Sequence, residues 1–303
     1  MDLGFMIQKF IVTKNFNGYR LDYFVTIQIG FTKSQVQKLI ANQKVLVNNN
    51  LAKKSAILKH QDVVMLNLTE LIKKNNCLYP VNLNLEIVYE DDYLAVINKP
   101  ANLIVHPSSS FQGITLVNGL LYQLKDFNKM PWNERMGIIH RLDKDTTGLI
   151  LVGKTIEVVD KMQKMLQSRD VKRIYYALIE GFLNKSGTIN LPIKRDYRNP
   201  LKMSVTSQGK IAITHFTTLK KFNNYSLVEL QLETGRTHQI RVHLSYLKHP
   251  IIGDPLYNKK KYLVSSQLLH AKKLYFMHPW IGKELQFDIP LPNYFSEFIK
   301  FLE

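Results

Sequence analysis

Apolar positions along the chain follow two rhythms. In the first eighty residues Val36, Leu39 and Ile40 recur at i, i+3 and i+4, which predicts a helix with Thr32 as its cap. Apolar runs at residues 45–47 and 63–66 predict strands of a small sheet, joined by a lysine-bearing stretch from Lys53 to His60. Beyond residue 80 the alternation shortens to the period of strands. Residues 85–89 and 94–98 predict two of them around the acidic turn Glu90-Asp91-Asp92. Lys99-Pro100 ends the second, because proline cannot donate to a ladder. Thr155 heads a helix with Val158, Val159, Met162, Met165 and Leu166 on one face. Residues 172–181 predict a strand in which Tyr175 faces away from Ile174 and Tyr176. Short runs at 203–205, 212–216 and 227–232 continue the sheet. Thr237 then caps a helix with Ile240, Leu244 and Leu247 inward, and residues 268–271 and 276–279 predict one more buried strand. The fold class is therefore α+β. A small basic domain of helices and a small sheet spans 1–79, and a mixed, mainly antiparallel-sheet domain spans 80–303. The polar break Lys73-Lys74-Asn75-Asn76, running to Pro80 with Cys77 inside it, marks the linker.

One stretch stands apart. Ile138-Ile139 and residues 149–152 are apolar runs that enclose His140, Arg141, Asp143, Lys144, Asp145, Thr146, Thr147 and Gly148. The layout predicts two buried strands presenting one polar turn at the rim of a core. Loops held by a rigid scaffold often carry chemistry. Asp-x-Thr-Thr-Gly is equally the composition of an ordinary hairpin turn.

Charge narrows the partner. Lys and Arg total 41 against 24 acids, a net charge of +17, which favours a polyanion: nucleic acid or an anionic membrane surface. The density is highest over residues 1–79, which carry 11 basic and 4 acidic side chains. Arg20, Lys33, Lys38, Lys44 and Lys53 are its candidate contacts to a polyanion, suited to phosphate oxygens. Only nine of the basic residues are arginine. Five of them (Arg135, Arg141, Arg173, Arg236 and Arg241) fall in candidate site segments, where a planar fork makes bidentate or stacked contacts. The single cysteine, Cys77, excludes an internal disulfide and a cysteine-based zinc site. The first residues lack a signal-peptide pattern and no apolar run approaches the roughly 20 residues that span a bilayer. A cytoplasmic protein with no membrane association is the expectation.

The chemistry narrows by what is missing. There is no P-loop, no dinucleotide fingerprint and no G-x-S-x-G elbow. His238 and His243 lie five apart, unlike the i, i+4 zinc pair on a helix, so no metal site is expected. His238, Arg241 and Ser245 share a helix face. What remains is carboxylate chemistry on a polyanion: an aspartate acting at a sugar carbon as nucleophile or base, kept ionised by an arginine.

The residues 140–149, His-Arg-Leu-Asp-Lys-Asp-Thr-Thr-Gly-Leu, resemble the signature of the RluA/RluD family of pseudouridine synthases. Asn98-Lys99-Pro100 through His106-Pro107, Lys172 to Ala177 with Gly181, Gly235 to His243, Gly253-Asp254-Pro255-Leu256-Tyr257, Leu269-His270-Ala271 and His278-Pro279 are similar to its further motifs. Tyr19-Arg20-Leu21-Asp22, residues 34–40 and residues 45–48 resemble a small RNA-binding domain shared with a ribosomal protein. The resemblance implies an isomerase that converts uridine to pseudouridine in RNA without a cofactor. The N-glycosidic bond breaks, the base turns, and a bond forms at its carbon 5. It implies Asp143 as the catalytic aspartate, as nucleophile or base, with Arg241 paired to it and Tyr175 packed on the target base. It implies Arg141 and His140 of the same motif as substrate-binding side chains, with Arg141 filling the gap left by the flipped nucleotide. Asp145 is the rival carboxylate, better suited to the turn. The segment from Lys202 to Thr214 looks like the branch acting on large-subunit (23S) ribosomal RNA. Other ribosomal or transfer RNA sites, or a non-catalytic RNA-binding protein of ribosome assembly, are the alternatives. A monomer is expected.

Overall fold

The computed structural model describes residues 7–29, 33–67, 78–107, 111, 113–125, 127, 130 and 136–303. The Thr32 cap, the break at 73–76, Cys77 and Arg135 lie outside them. Contacts divide the chain into a unit formed by residues 1–79 with 131–136 and a unit formed by Pro80–Met130 with Gly137–Glu303.

In the first unit, β1 (Ile7–Ile11), α1 (Leu21–Ile29), α2 (Lys33–Ala41), β2 (Val45–Val47), β3 (Asn50–Leu51) and β4 (Val63–Asn67) give a four-stranded sheet in the order β1-β4-β2-β3. All of its pairings are antiparallel. The i, i+3, i+4 set Val36, Leu39 and Ile40 is buried with Leu21, Phe24 and Val25 of α1 and with Val64 and Leu66 of β4. Asp22 is buried among them, and Arg20 forks onto its carboxylate with bonds of 3.0 Å from Nε and Nη2. That hydrogen bonding holds the Asp22 carboxyl below its ordinary value, so the charge is kept where burial opposes it.

The second unit is built on β5 (Glu86–Glu90), β6 (Leu94–Lys99), α3 (Leu116–Gln123), β7 (Thr147–Gly153), α4 (Ile156–Gln167), β8 (Lys172–Glu180), β9 (Ser186–Asn190), β10 (Ile193–Arg195), β11 (Met203–Val205), β12 (Ile213–Lys221), β13 (Tyr225–Leu232), α5 (Gln239–Tyr246), β14 (Leu269–Met277), β15 (Glu284–Asp288) and α6 (Asn293–Leu302). A nine-stranded sheet runs β5-β6-β7-β14-β8-β13-β12-β9, with β15 beside β14, and β10 and β11 pair separately. The mixed, mainly antiparallel α+β character follows from the register: β7 and β14 alone are parallel within that sheet. Thr155 caps α4 by accepting from the Val158 N–H, and Val158 and Met162 face the sheet. Each of those side chains contributes roughly 1.5–3 kcal/mol by burial.

Two sequence expectations change. Ile138 and Ile139 are buried but form no strand, only a bridge from Ile138 to Val152. On that edge of β7 the Leu151 N–H is taken by the His140 ring instead of a carbonyl, and Gly137 turns the chain at φ 76. A side chain has replaced a ladder rung, so neither a second strand nor a hairpin forms. The helix expected from Thr237 begins at Gln239, because the Gln239 side chain, not Thr237, accepts from the Arg236 N–H and the Thr234 hydroxyl. The buried strand expected in the tail is β14, with a register shift between Ala271 and Lys273.

Gly148 occupies the tightest point of the sheet. Its φ is 109, in a region that favours glycine, and an added Cβ would strike the Ala271 backbone. Gly148→Ala should therefore cost about 2–4 kcal/mol through strain and overpacking. The check is a urea unfolding midpoint; an unchanged midpoint would show that the strands can part freely.

Candidate active site

The turn ahead of β7 closes with the Thr146 N–H donating to the Asp143 carbonyl at 3.1 Å. Its backbone is fastened from beneath. Lys99, fully buried at the end of β6, donates from Nζ to the carbonyls of Pro100, Leu103 and Lys144 at 2.7, 2.9 and 3.0 Å. Ser266 donates to the Asp145 carbonyl, and the Gln267 amide donates to the Thr146 hydroxyl. Burial pushes the Lys99 amine down to about 7, against the favourable charges of Asp145 and Asp143.

Asp143 meets helix α5 from the other side. Arg241 donates from Nη1 to Asp143 Oδ2 at 2.9 Å, while its Nε and Nη2 fork onto Asp254 at 2.8 and 2.9 Å. The Tyr257 ring lies 5.1 Å from the guanidinium carbon. Burial pushes the Asp143 carboxyl up, yet the Arg241 charge, the His238 ring, the Arg241 hydrogen bond and the Arg141 charge outweigh it, so it sits below its ordinary value. Burial likewise opposes the Arg241 charge, and the bonds to Asp254 and the two carboxylate charges raise it above its ordinary value. The result is an ionised carboxylate with one oxygen engaged, one oxygen directed away from the arginine, and 16% of its side chain open.

Tyr175 on β8 is buried, with Tyr176 half-buried on the opposite face, as the alternation predicts. Burial raises its hydroxyl, and the nearby Asp143 charge adds to that rise. Arg141 is exposed while Leu142 beside it is buried, so one residue anchors the segment and its neighbour reaches out. His140 points into the fold, its Nε2 accepting from the Leu151 N–H at 3.0 Å. In the first unit Lys33, Lys38 and Lys53 are exposed and Lys44 is half-buried, whereas Arg20 is occupied with Asp22. Among the described residues no group of three or more His, Cys, Asp or Glu is placed to hold a metal.

Sequence reasoning assigned no role to Lys99, Asp254, His238 or Tyr257. Lys99 did show a signal, a cation directly after an apolar strand run and before proline. The motif from Gly253 to Tyr257 marked the segment of Asp254, though nothing local marks which of several acids the arginine will fork onto.

A family model described as RNA pseudouridylate synthase matches residues 93–246, and an S4 domain model matches residues 20–64. The chain belongs to the RNA pseudouridylate synthase family. Members are isomerases acting on RNA, and this chain is such an enzyme. It is 38% identical over 284 residues to the "Uncharacterized RNA pseudouridine synthase YlyB" of Bacillus subtilis, covering 93% of each chain. It is 43% identical to the "Ribosomal large subunit pseudouridine synthase D" of Pseudomonas aeruginosa over 71% of this chain and 70% of that one. Among solved structures, "Human RNA Pseudouridylate Synthase Domain Containing 4" is similar with a TM-score of 0.57 and 28% identity, covering 72% of this chain and 92% of that one. No described helix is long and apolar enough to cross a membrane.

His140 gives this synthase a pH signature. Burial, with Arg173 nearby, pushes its ring down to about 3 from 6.5. The unfolded chain therefore binds a proton there first, and stability present above pH 6.5 is lost as pH falls toward 3. The slope reaches about 1.4 kcal/mol per pH unit. His140→Asn removes this contribution, so its unfolding free energy should approach the wild-type value as pH drops from 7 to 4. Parallel urea curves for the two proteins across that range would contradict it.

Proposed function

We propose that this enzyme isomerises specific uridines of large-subunit ribosomal RNA, with Asp143 as the reacting carboxylate on a flipped-out nucleotide. The observation that carries the assignment is the division of Arg241 between Asp254 and Asp143. It leaves Asp143 ionised, oriented and with Oδ1 unclaimed by the arginine, which attack at the sugar or removal of a sugar proton both require. Among the described residues no arginine pairs with Asp145, and its carbonyl serves the turn. Tyr175 packs against the uracil ring. Exposed Arg141 stacks into the space the nucleotide vacates, offsetting a flipping cost of a few kcal/mol. His140 acts indirectly, by holding the Arg141 backbone segment against β7.

The ribosomal substrate is supported by the printed name of the Pseudomonas aeruginosa relative and by a Blochmanniella floridana relative of the same name, 35% identical over 98% of this chain and 99% of its own. Residues 1–79 act as the delivery module, through Lys33, Lys38, Lys44 and Lys53 on phosphates. Arg20 contributes mainly to the module's core. The boundary with the catalytic domain lies near residue 80, and the enzyme works as a cytoplasmic monomer without a cofactor.

Asp143→Asn should abolish pseudouridine formation while RNA binding persists, as read by carbodiimide mapping and filter binding. Isomerisation at a near-normal rate would end the assignment. Mapping total RNA from a deletion strain identifies the substrate, and loss of signal from transfer RNA instead would redirect it. Replacing Lys33, Lys38, Lys44 and Lys53 together by Gln should weaken RNA binding. The slope of log affinity against log salt should fall by about 0.7 for each lysine seated on a single-stranded phosphate. An unchanged slope would remove these residues from the interface.

A further inference from the structure

The two oxygens of Asp143 have different surroundings. Oδ2 takes the Arg241 hydrogen bond at 2.9 Å, while Oδ1 faces the His238 ring nitrogen Nε2 at 3.9 Å. That distance is too long for a hydrogen bond. Both side chains are partly open, each at 16%. His238 stands immediately ahead of α5 at φ 55, in the left-handed region that non-glycine residues avoid. Backbone conformations of this kind persist where the surroundings over-determine them. Tyr257 supplies part of that determination, with its hydroxyl 2.8 Å from His238 Nδ1 and the two rings edge to face.

Tyr257 also bears on which ring nitrogen carries the proton. Its hydroxyl oxygen accepts the Met203 N–H at 2.7 Å, which leaves its own proton free to be donated to His238 Nδ1 at 2.8 Å. Burial pushes this hydroxyl up to about 12, so the proton is present throughout the neutral range. With Nδ1 accepting, the ring proton sits on Nε2, the nitrogen that faces Asp143. Burial lowers the His238 ring. Asp143 and Asp254 favour its cation, Arg241 and Arg141 oppose it, and the balance leaves the ring neutral at pH 7.

We propose that His238 is a positioning residue for the isomerisation: a neutral N–H donor aimed at Asp143 Oδ1 and at the uridine oxygen that enters the gap between them. This rests on Asp143 being the reacting carboxylate. The arrangement separates two tasks, since Arg241 fixes the charge and His238 fixes what approaches the free oxygen. A ribose hydroxyl and a uracil carbonyl share the acceptor chemistry that Nε2–H would recognise.

Single-turnover rates and RNA affinities of full-length H238L, H238Q and Y257F, with D143N alongside, test this. H238L should slow the step roughly 10- to 100-fold, the loss of one hydrogen bond to a charged or reacting group, with RNA affinity unchanged. H238Q, whose amide can offer an N–H at the same place, should recover part of that rate. Y257F should slow the step less, and add nothing to H238L in the double variant. A wild-type rate in H238L, or additive losses with Y257F, overturns the proposal. So do equal losses in H238L and H238Q accompanied by lost RNA affinity, which would mark a scaffold role. An active D143N would instead overturn the reading of Asp143. A dead D143N with a normal H238L sinks only the role of His238. With 2′-deoxyuridine at the target, a vanished H238L penalty assigns the contact to the ribose hydroxyl. A retained penalty assigns it to the uracil carbonyl.

Discussion

One guanidinium is divided between two carboxylates, and the site depends on how. Arg241 gives its fork to Asp254 and a single N–H to Asp143. Asp254 is itself held by the backbone N–H groups of Leu256 and Tyr257, so the arginine is aimed before any substrate arrives. A buried charge left without its partner is strongly destabilising, on the order of 3–5 kcal/mol. Asp254 therefore holds in place the arginine that keeps Asp143 ionised. A lysine could not do the same work, because a point charge cannot address two carboxylates in fixed planes. In a chain whose cations are mostly lysine, this explains why arginine stands here.

The sheet brings that arginine's target within reach of the tyrosine. β14 lies between β7 and β8, and Ala271 is in register with Gly148 on one side and Tyr175 on the other. The turn carrying Asp143 therefore ends two strands away from Tyr175. On the far side, α5 is pinned by polar side chains: Gln239 donates to the Ile213 carbonyl, and His243 donates from Nε2 to the Leu191 carbonyl. Buried polar groups with partners on different strands fix the rotation of a helix more tightly than apolar packing would. Arg241 inherits that rotation.

Much of this was legible in the sequence, and the failures have physical causes. Strand alternation put Tyr175 on the right face, and Thr155 announced α4, because both signals are local. Ile138-Ile139 misled because an imidazole can take a ladder position, which no apolar pattern reveals. The start of α5 misled because Gln239 supplies the cap from inside the helix, reversing the usual direction. His140, Arg141 and Asp143 sit in one motif, but their divergence, inward, outward and toward α5, depends on tertiary partners. The Tyr257 to His238 contact joins side chains 19 positions apart and has no sequence signature.

Gly148 lets β7 approach β14 so closely that the Ala271 backbone fills the place a side chain would take. Elsewhere the core is side chains in rotamers, which can repack around a substitution and let neighbours drift by fractions of an ångström. At this point there is no side chain to repack. The separation is thus a property of peptide units, which every sequence shares, and the surrounding hydrophobic residues are free to vary without carrying the turn away from its tyrosine.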